Sequence, residues 1–175
     1  MTLQKELICL DKIAKVDSTI LPEFKAYATD GLFWVLISSE CANYQDPQFS
    51  KSLKQKFTAD TFMQRLLYIL AVLDRAGIVH GDLKLSNLLL TASDELVVTD
   101  FSGSAIGQRV AVNLLNTFKG VMVSADQVTC LTCDMHAPEL LRDEMVQNVD
   151  MYSVGKIFQF VADEGYWEYS TTTCT

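Results

Sequence analysis

Apolar residues recur along the chain with two different periods. Leu3, Leu7, Leu10 and Ala14 follow one another at spacings of four, three and four, and Ile8 and Ile13 widen the stripe. That spacing predicts an amphipathic helix over Thr2 to Val16. Two apolar runs, Phe24 to Ala28 and Leu32 to Ser38, flank Thr29-Asp30-Gly31. An Asp-Gly step between such runs predicts a β-hairpin. The stretch 42–58 is polar, contains Pro47, and reads as loop or irregular helix. Asp60 reads as an N-cap for a segment carrying Phe62, Leu66, Leu67, Leu70 and Leu73 and closed by Gly77. This helix is apolar nearly all round, which predicts that it is buried. Leu88 to Leu90 and Leu96 to Thr99 are short β-like runs about Ala92-Ser93-Asp94, and Ser102 to His136 reads as a long mixed loop. Asp150 reads as the cap of a last apolar helix bearing Met151, Val154, Ile157, Phe158 and Val161. The order helix, two strands, helices, two short strands, long loop, helix predicts an α+β fold whose C-terminal part is mainly helical.

Composition narrows the function by exclusion. The chain has 175 residues, one domain's worth and enough to bury a core. Fourteen basic against 22 acidic residues give a net charge of −8, with no dense basic run. Nucleic acid is therefore not expected as a partner, because its binding rests on clustered basic charge. The longest apolar run in the first third, Leu32 to Ile37, is far short of the roughly 18 residues of a membrane span. The N-terminal MTLQKELICLDK has no apolar core of a secretory signal. No membrane association is expected, and a cytoplasmic location is the default. Five cysteines at irregular spacing argue for reduced thiols rather than a disulfide scaffold. Cys130 and Cys133 have the spacing of a metal pair and His136 offers a third ligand, but a closed zinc site takes four.

Four short signals carry the chemistry. They are Val79-His80-Gly81-Asp82-Leu83-Lys84-Leu85-Ser86-Asn87, then Thr99-Asp100-Phe101-Ser102, then His136-Ala137-Pro138-Glu139, then Asp150-Met151-Tyr152-Ser153-Val154-Gly155. The first two suit phosphoryl transfer, which needs metal ions to offset phosphate charge and a group to orient the attacking hydroxyl. Mg²⁺ prefers oxygen ligands; Asp100 offers a carboxylate and Asn87 an amide oxygen. Asp82 is placed to accept the hydroxyl proton and Lys84 to neutralise the moving phosphate.

Together the four signals resemble the protein-kinase signature set: a catalytic loop of H-R-D-L-K-x-x-N type, then D-F-G, then A-P-E. The fourth resembles the start of the long buried helix of the kinase C-lobe. The resemblance implies a single, partial kinase-like domain over 1–175. Residues 1–39 would be a remnant of the N-lobe, the αC helix and two strands leading to the hinge, and 40–175 a partial C-lobe ending near the αF helix. It implies ATP and Mg²⁺ as cofactors and a protein substrate or kinase partner. It places Asp82, Lys84 and Asn87 in catalysis, and Asn87 and Asp100 on the metal. Leu36 falls at the gatekeeper, Ser38 in the hinge and Leu89 beneath the adenine, so these and Asp100 would bind the nucleotide. Glu6 falls at the αC glutamate, and His80, Phe101 and Leu10 in a regulatory spine anchored by Asp150. Lys84 in the D-L-K context resembles the serine/threonine subgroup. H-G-D-L-K-L with T-D-F-S also resembles some secreted rhoptry-type kinases of apicomplexan parasites. Gly81 fits a rival family, the small-molecule phosphotransferases of aminoglycoside and choline kinase type. Lys84, His-Ala-Pro-Glu and Asp-x-Tyr-Ser-x-Gly fit protein kinases instead.

The departures from that pattern shape the expectation of activity. Gly31 is the first glycine, and no lysine stands in a Val-Ala-x-Lys strand. A phosphate loop upstream of the first helix and an ion-pair partner for Glu6 are therefore not expected. No arginine follows Asp150 to meet Glu139. The chain reads as the centre of a kinase domain with both ends missing, whether a fragment, a truncation or a degenerate paralogue. Gly81 replaces the arginine that reads an activation-loop phosphate. Ser102 replaces the D-F-G glycine and is expected to restrict the metal loop. Weak or no catalysis is expected of these 175 residues, with a pseudokinase-like scaffold or binding module as the alternative.

Overall fold

Helix α1 (Leu3–Asp17) forms where the apolar spacing places it. Its buried stripe is Cys9, Leu10 and Ile13. Asp17 ends it and opens a 3-10 turn, Ser18–Ile20, by accepting the Thr19 N–H at 2.8 Å. The computed structural model describes residues 3–29, 33–38, 40–111, 119–124, 145–146 and 149–167. Strands β1 (Phe24–Thr29) and β2 (Phe33–Ser38) form the antiparallel hairpin that the Asp-Gly step predicts, with Phe24 opposite Ser38 and Thr29 opposite Phe33.

The stretch expected as loop or irregular helix contains a short strand, β3 (Cys41–Ala42), and a regular helix, α2 (Pro47–Lys56). Pro47 begins this helix rather than breaking it. At the first helical position the missing N–H would have had no partner in any case. The Asp46 carboxylate accepts the Gln48 N–H at 2.8 Å, and Phe49 and Leu53, four apart, are buried.

Helix α3 (Ala59–Ala76) is capped by Thr58, not by Asp60. Thr61 N–H donates to Thr58 Oγ1 at 3.2 Å, and Thr58 N–H donates to Thr61 Oγ1 at 2.8 Å. Two orphan donors are thus satisfied reciprocally. Asp60 lies in the first turn, where its charge suits the helix dipole. Gly77 terminates the helix in the left-handed region, at φ 71°. The helix is amphipathic rather than buried all round. Phe62, Leu66, Ile69, Val72, Leu73 and Ala76 face the core, while Leu67 and Tyr68 are exposed. The apolar residues are as many as the sequence suggests, but these two stand off the 3.6-residue face.

Arg65 of α3 lashes the N-terminal segment to the rest. Its Nε donates to the Leu96 carbonyl at 3.0 Å and its Nη2 to the Thr19 carbonyl at 2.8 Å. The Tyr68 hydroxyl donates to the Asp17 carboxylate.

The remaining strands are short. β5 (Leu88–Thr91) and β6 (Leu96–Val98) form a hairpin with Leu88 opposite Val98, and β3 adds to it in the order β3-β5-β6. β4 (Ile78–Val79) pairs with β7 (Ala105–Ile106). β8 (Gln108–Ala111), β9 (Lys119–Ser124) and β10 (Met145–Val146) make a third sheet in the order β10-β9-β8. The span expected as one long loop therefore holds β7, β8 and β9, and a 3-10 turn, Phe101–Gly103, begins beside it. Runs of two to six residues leave little periodicity, and β7 finds its partner 26 positions upstream (Val79 opposite Ala105).

Helix α4 (Val149–Asp163) buries Val149, Val154, Ile157 and Val161. Asp150 lies inside its first turn and is not its cap; the carboxylate is used elsewhere, as shown below. After α4 the chain turns back over α2 and α3. Trp167 Nε1 donates to the Phe57 carbonyl at 2.8 Å, its ring stands 5.3 Å from that of Phe62, and the Tyr166 and Ser50 hydroxyls are 2.9 Å apart. Leu10, Ile13, Leu66, Leu73, Leu88 and Ile157 share one core between the helices and the β5–β6 hairpin. No helix among the described residues is long and apolar enough to cross a membrane.

Candidate active site

The segment from His80 to Asn87 leaves β4 with almost no regular structure, yet its polar groups are satisfied by one another and by Asp150. His80 N–H donates to Asp150 Oδ2 at 2.7 Å, and Gly81 N–H donates to Asp150 Oδ1 at 2.8 Å. Both are buried bonds to one carboxyl group, which satisfies two backbone donors at once. Burial pushes the Asp150 carboxyl up, and the nearby His80 and the two N–H donors oppose that shift. Gly81 has φ 79°, a conformation that a side chain rarely adopts. Glycine at this position is thus a backbone requirement as well as the loss of an arginine.

His80 links the loop to the next motif. Its Nδ1 accepts the Asp82 N–H at 3.3 Å, which assigns the ring proton to Nε2; Nε2 then donates to the Thr99 carbonyl at 3.0 Å. The ring lies 4.9 Å from that of Phe101 at 55°. His80, Phe101 and Asp150 are therefore brought together. Leu10 is buried in the same core, on the helix that packs against the turn holding Phe101.

Asp82 is nearly buried, with 5% of its side chain exposed, and Lys84 Nζ stands 2.6 Å from its Oδ2. Asn87 Nδ2 donates to the Asp82 carbonyl at 2.9 Å. The same amide thereby directs its oxygen away from that bond. Asn87 closes a 3-10 turn, Leu85–Asn87, and its carbonyl accepts the Thr99 N–H at 2.9 Å. The β5–β6 register thus sets Asn87 opposite Thr99, one residue from Asp100. Hydrogen bonds link Asp82, Lys84 and Asn87, and the Thr99 N–H bond to Asn87 brings in the residue before Asp100, 18 positions on from Asp82.

Asp100 adopts φ 65°, ψ 69° and opens the Phe101–Gly103 turn. Its Oδ1 accepts the Ser102 hydroxyl at 2.5 Å and the Ser102 N–H at 3.3 Å. The hydroxyl bond is absent from the expectations above. The Asp-x-Ser spacing, in which a short side chain reaches a neighbour two residues away, is the signal that would have found it.

Glu6 lies against the same turn. Its carboxyl is pushed up first by burial and then by the Asp100 charge, and the nearby Phe101 N–H opposes that shift. Among the described residues it forms no ion pair. Leu89 is half-buried on β5, opposite Val97. Leu36 and Ser38 lie on β2, opposite Ala26 and Phe24; their side chains fall outside the described residues. So do Glu139 and the candidate metal residues Cys130, Cys133 and His136. Among the described residues no three His, Cys, Asp or Glu side chains gather around a metal position. The donor chemistry suits Mg²⁺ all the same: one carboxylate and one amide oxygen, both hard, of the kind that complete a shell shared with phosphates and water.

A helix packed against an Asp-Phe turn, a catalytic-type loop anchored by a buried aspartate, and a short hairpin beside that loop define the class of the protein-kinase fold. The family model "Protein kinase domain" matches residues 4–173, and the chain belongs to that family. CBL-interacting protein kinase 3 of Oryza sativa subsp. japonica is 35% identical over 111 residues, 62% of this chain and 22% of the relative. CBL-interacting serine/threonine-protein kinase 24 of Arabidopsis thaliana is 35% identical over 113 residues, 63% of this chain and 22% of the relative. The matched region is thus about a fifth of the length of these relatives. The Cydia pomonella granulovirus kinase PK-1 superposes with a TM-score of 0.60 at 16% identity, over 95% of this chain and 56% of that one. That likeness is one of fold.

Proposed function

We propose that the chain carries the catalytic and metal-binding half of a serine/threonine protein kinase, transferring the terminal phosphoryl group of ATP to a protein hydroxyl. The observation that carries this reading is the nearly buried Asp82 with Lys84 Nζ at 2.6 Å from its Oδ2. A carboxylate held in this way orients an incoming hydroxyl and takes its proton. Lys84, already at the site, offsets charge that gathers on the phosphoryl oxygens. Asn87 and Asp100 would hold Mg²⁺, which offsets phosphate charge when bound. Leu89, with Leu36 and Ser38, would line the adenine site.

Transfer of labelled phosphate from Mg-ATP to a serine/threonine peptide library tests this reading. Slow phosphopeptide formation by the parent, and a loss of about 10²- to 10⁴-fold from that rate in Asp82→Asn, are expected. An Asp82→Asn chain as fast as the parent would refute it.

A second reading is a pseudokinase-like binding module. It is favoured by Glu6, which feels the Asp100 charge and has no ion-pair partner among the described residues. Cooperative unfolding that is indifferent to Mg-ATP, with no transfer, would establish that reading. A ligand that binds only the native state at ~100 times its Kd should stabilise by about 2.7 kcal/mol, which unfolding would register.

A further inference from the structure

We propose that Ser102 is a positioning residue whose hydroxyl restricts Asp100 to one-oxygen ligation of a divalent cation and so weakens cation binding. This rests on the metal role proposed above for Asp100. Ser102 Oγ donates to Asp100 Oδ1 at 2.5 Å, and Ser102 N–H reaches the same oxygen at 3.3 Å. Both donors fall on Oδ1, while Oδ2 has no donor among the described residues. A cation that takes both oxygens must first displace the hydroxyl from a charge-assisted hydrogen bond. A cation that leaves this bond in place has only Oδ2.

The hydroxyl is not needed to aim the carboxylate. Asp100 is already held by its backbone at φ 65°, ψ 69°, by the 3-10 turn it opens and by the Ser102 N–H. Phe101, the next residue, is fully buried against His80, so the turn is fixed on its inner side. The hydroxyl therefore adds competition for Oδ1 more than it adds orientation. Alanine keeps the Cβ and the N–H and removes only the competitor. Threonine keeps the competitor.

The test is a titration of the 175-residue chain with Mn²⁺ in the presence of ADP, reading free Mn²⁺ by electron paramagnetic resonance. Ser102→Ala is expected to tighten Mn²⁺ about tenfold, the equivalent of one charge-assisted hydrogen bond no longer broken. Ser102→Thr is expected to stay within about twofold of the parent, and Asp100→Ala to lose the site. Ser102→Cys, nearly isosteric with a much weaker donor, is expected to follow alanine and serves as the reading if the alanine chain does not fold. Unchanged or weaker Mn²⁺ binding in Ser102→Ala or Ser102→Cys, with binding still lost in Asp100→Ala, overturns the serine inference and leaves the metal role of Asp100 standing. Binding that survives in Asp100→Ala, or that is absent from the parent, overturns the metal role and the inference with it.

Discussion

The carboxylate of Asp150, in the first turn of α4, accepts the backbone N–H of Gly81 at 2.8 Å across 69 residues of sequence, and the N–H of His80 at 2.7 Å beside it. One side chain thereby satisfies two buried donors that no strand or helix serves. Replacing it with alanine leaves both unpaired, and each unpaired buried donor costs about 1–3 kcal/mol. Asp150→Ala is therefore expected to lose about 2–5 kcal/mol in urea-induced unfolding. Asp150→Asn should lose somewhat less, since one amide oxygen replaces one carboxylate oxygen while the NH₂ is set against the second N–H. Loss below about 0.5 kcal/mol in both variants would mean that this bond pair does not hold the loop.

Gly81 is constrained by the same anchor. With φ at 79° it occupies the left-handed region, where a Cβ costs about 1–2 kcal/mol. Gly81→Ala is expected to destabilise by roughly that amount, and Gly81→Arg by at least as much. If Gly81→Arg matched the parent in denaturant midpoint, the backbone requirement would be disproved and the residue would be open to an arginine.

Which of these relationships the sequence discloses depends on how local they are. His80, Asp82, Lys84, Asn87 and Asp100 are legible because their chemistry is concentrated in two short segments whose spacing is unusual for any other purpose. Helix α1 is legible because its apolar period is regular, and the β5–β6 hairpin because two short apolar runs flank Ala92-Ser93-Asp94. What stayed hidden is settled by choices between near-equal neighbours or by distant contacts. Thr58 and Asp60 are both good caps, and only the reciprocal bonds with Thr61 decide between them. Pro47 reads as a breaker until Asp46 is recognised as the cap before it. Asp150 reads as a cap by type, whereas its partners His80 and Gly81 lie 70 and 69 positions away in sequence.

The Thr58–Thr61 capping box yields a clean stability prediction. Thr58→Ala removes the acceptor for the Thr61 N–H and is expected to cost about 0.5–2 kcal/mol. Thr58→Asp or Thr58→Ser should retain most of that, and Asp60→Ala should cost less than Thr58→Ala. Chemical denaturation of the four variants checks the order. A larger loss in Asp60→Ala would return the cap to Asp60.

Glu6 gives the site a pH dependence whose sign follows from its surroundings. Burial and the Asp100 charge raise its folded-state pKa, and the Phe101 N–H and His80 oppose this in smaller part. A raised carboxyl pKa means that the folded state holds the proton more tightly than the unfolded chain. The ionised form then lowers stability at neutral pH, and the stabilisation of the protonated form is lost as pH rises through the raised value. Glu6→Gln is accordingly expected to be as stable as the parent or more so at pH 7. The parent should gain on it as pH falls toward about 4.3, the ordinary range for glutamate. The side chain is only half-buried, so solvent screening holds the difference below about 1 kcal/mol. Asp100→Asn removes the second cause and should flatten the profile of the parent. Thermal unfolding of the three chains between about pH 4 and pH 8 reads all of this at once. A parent that loses ground to Glu6→Gln on acidification would show the pKa to be lowered instead, with the Phe101 hydrogen bond outweighing burial.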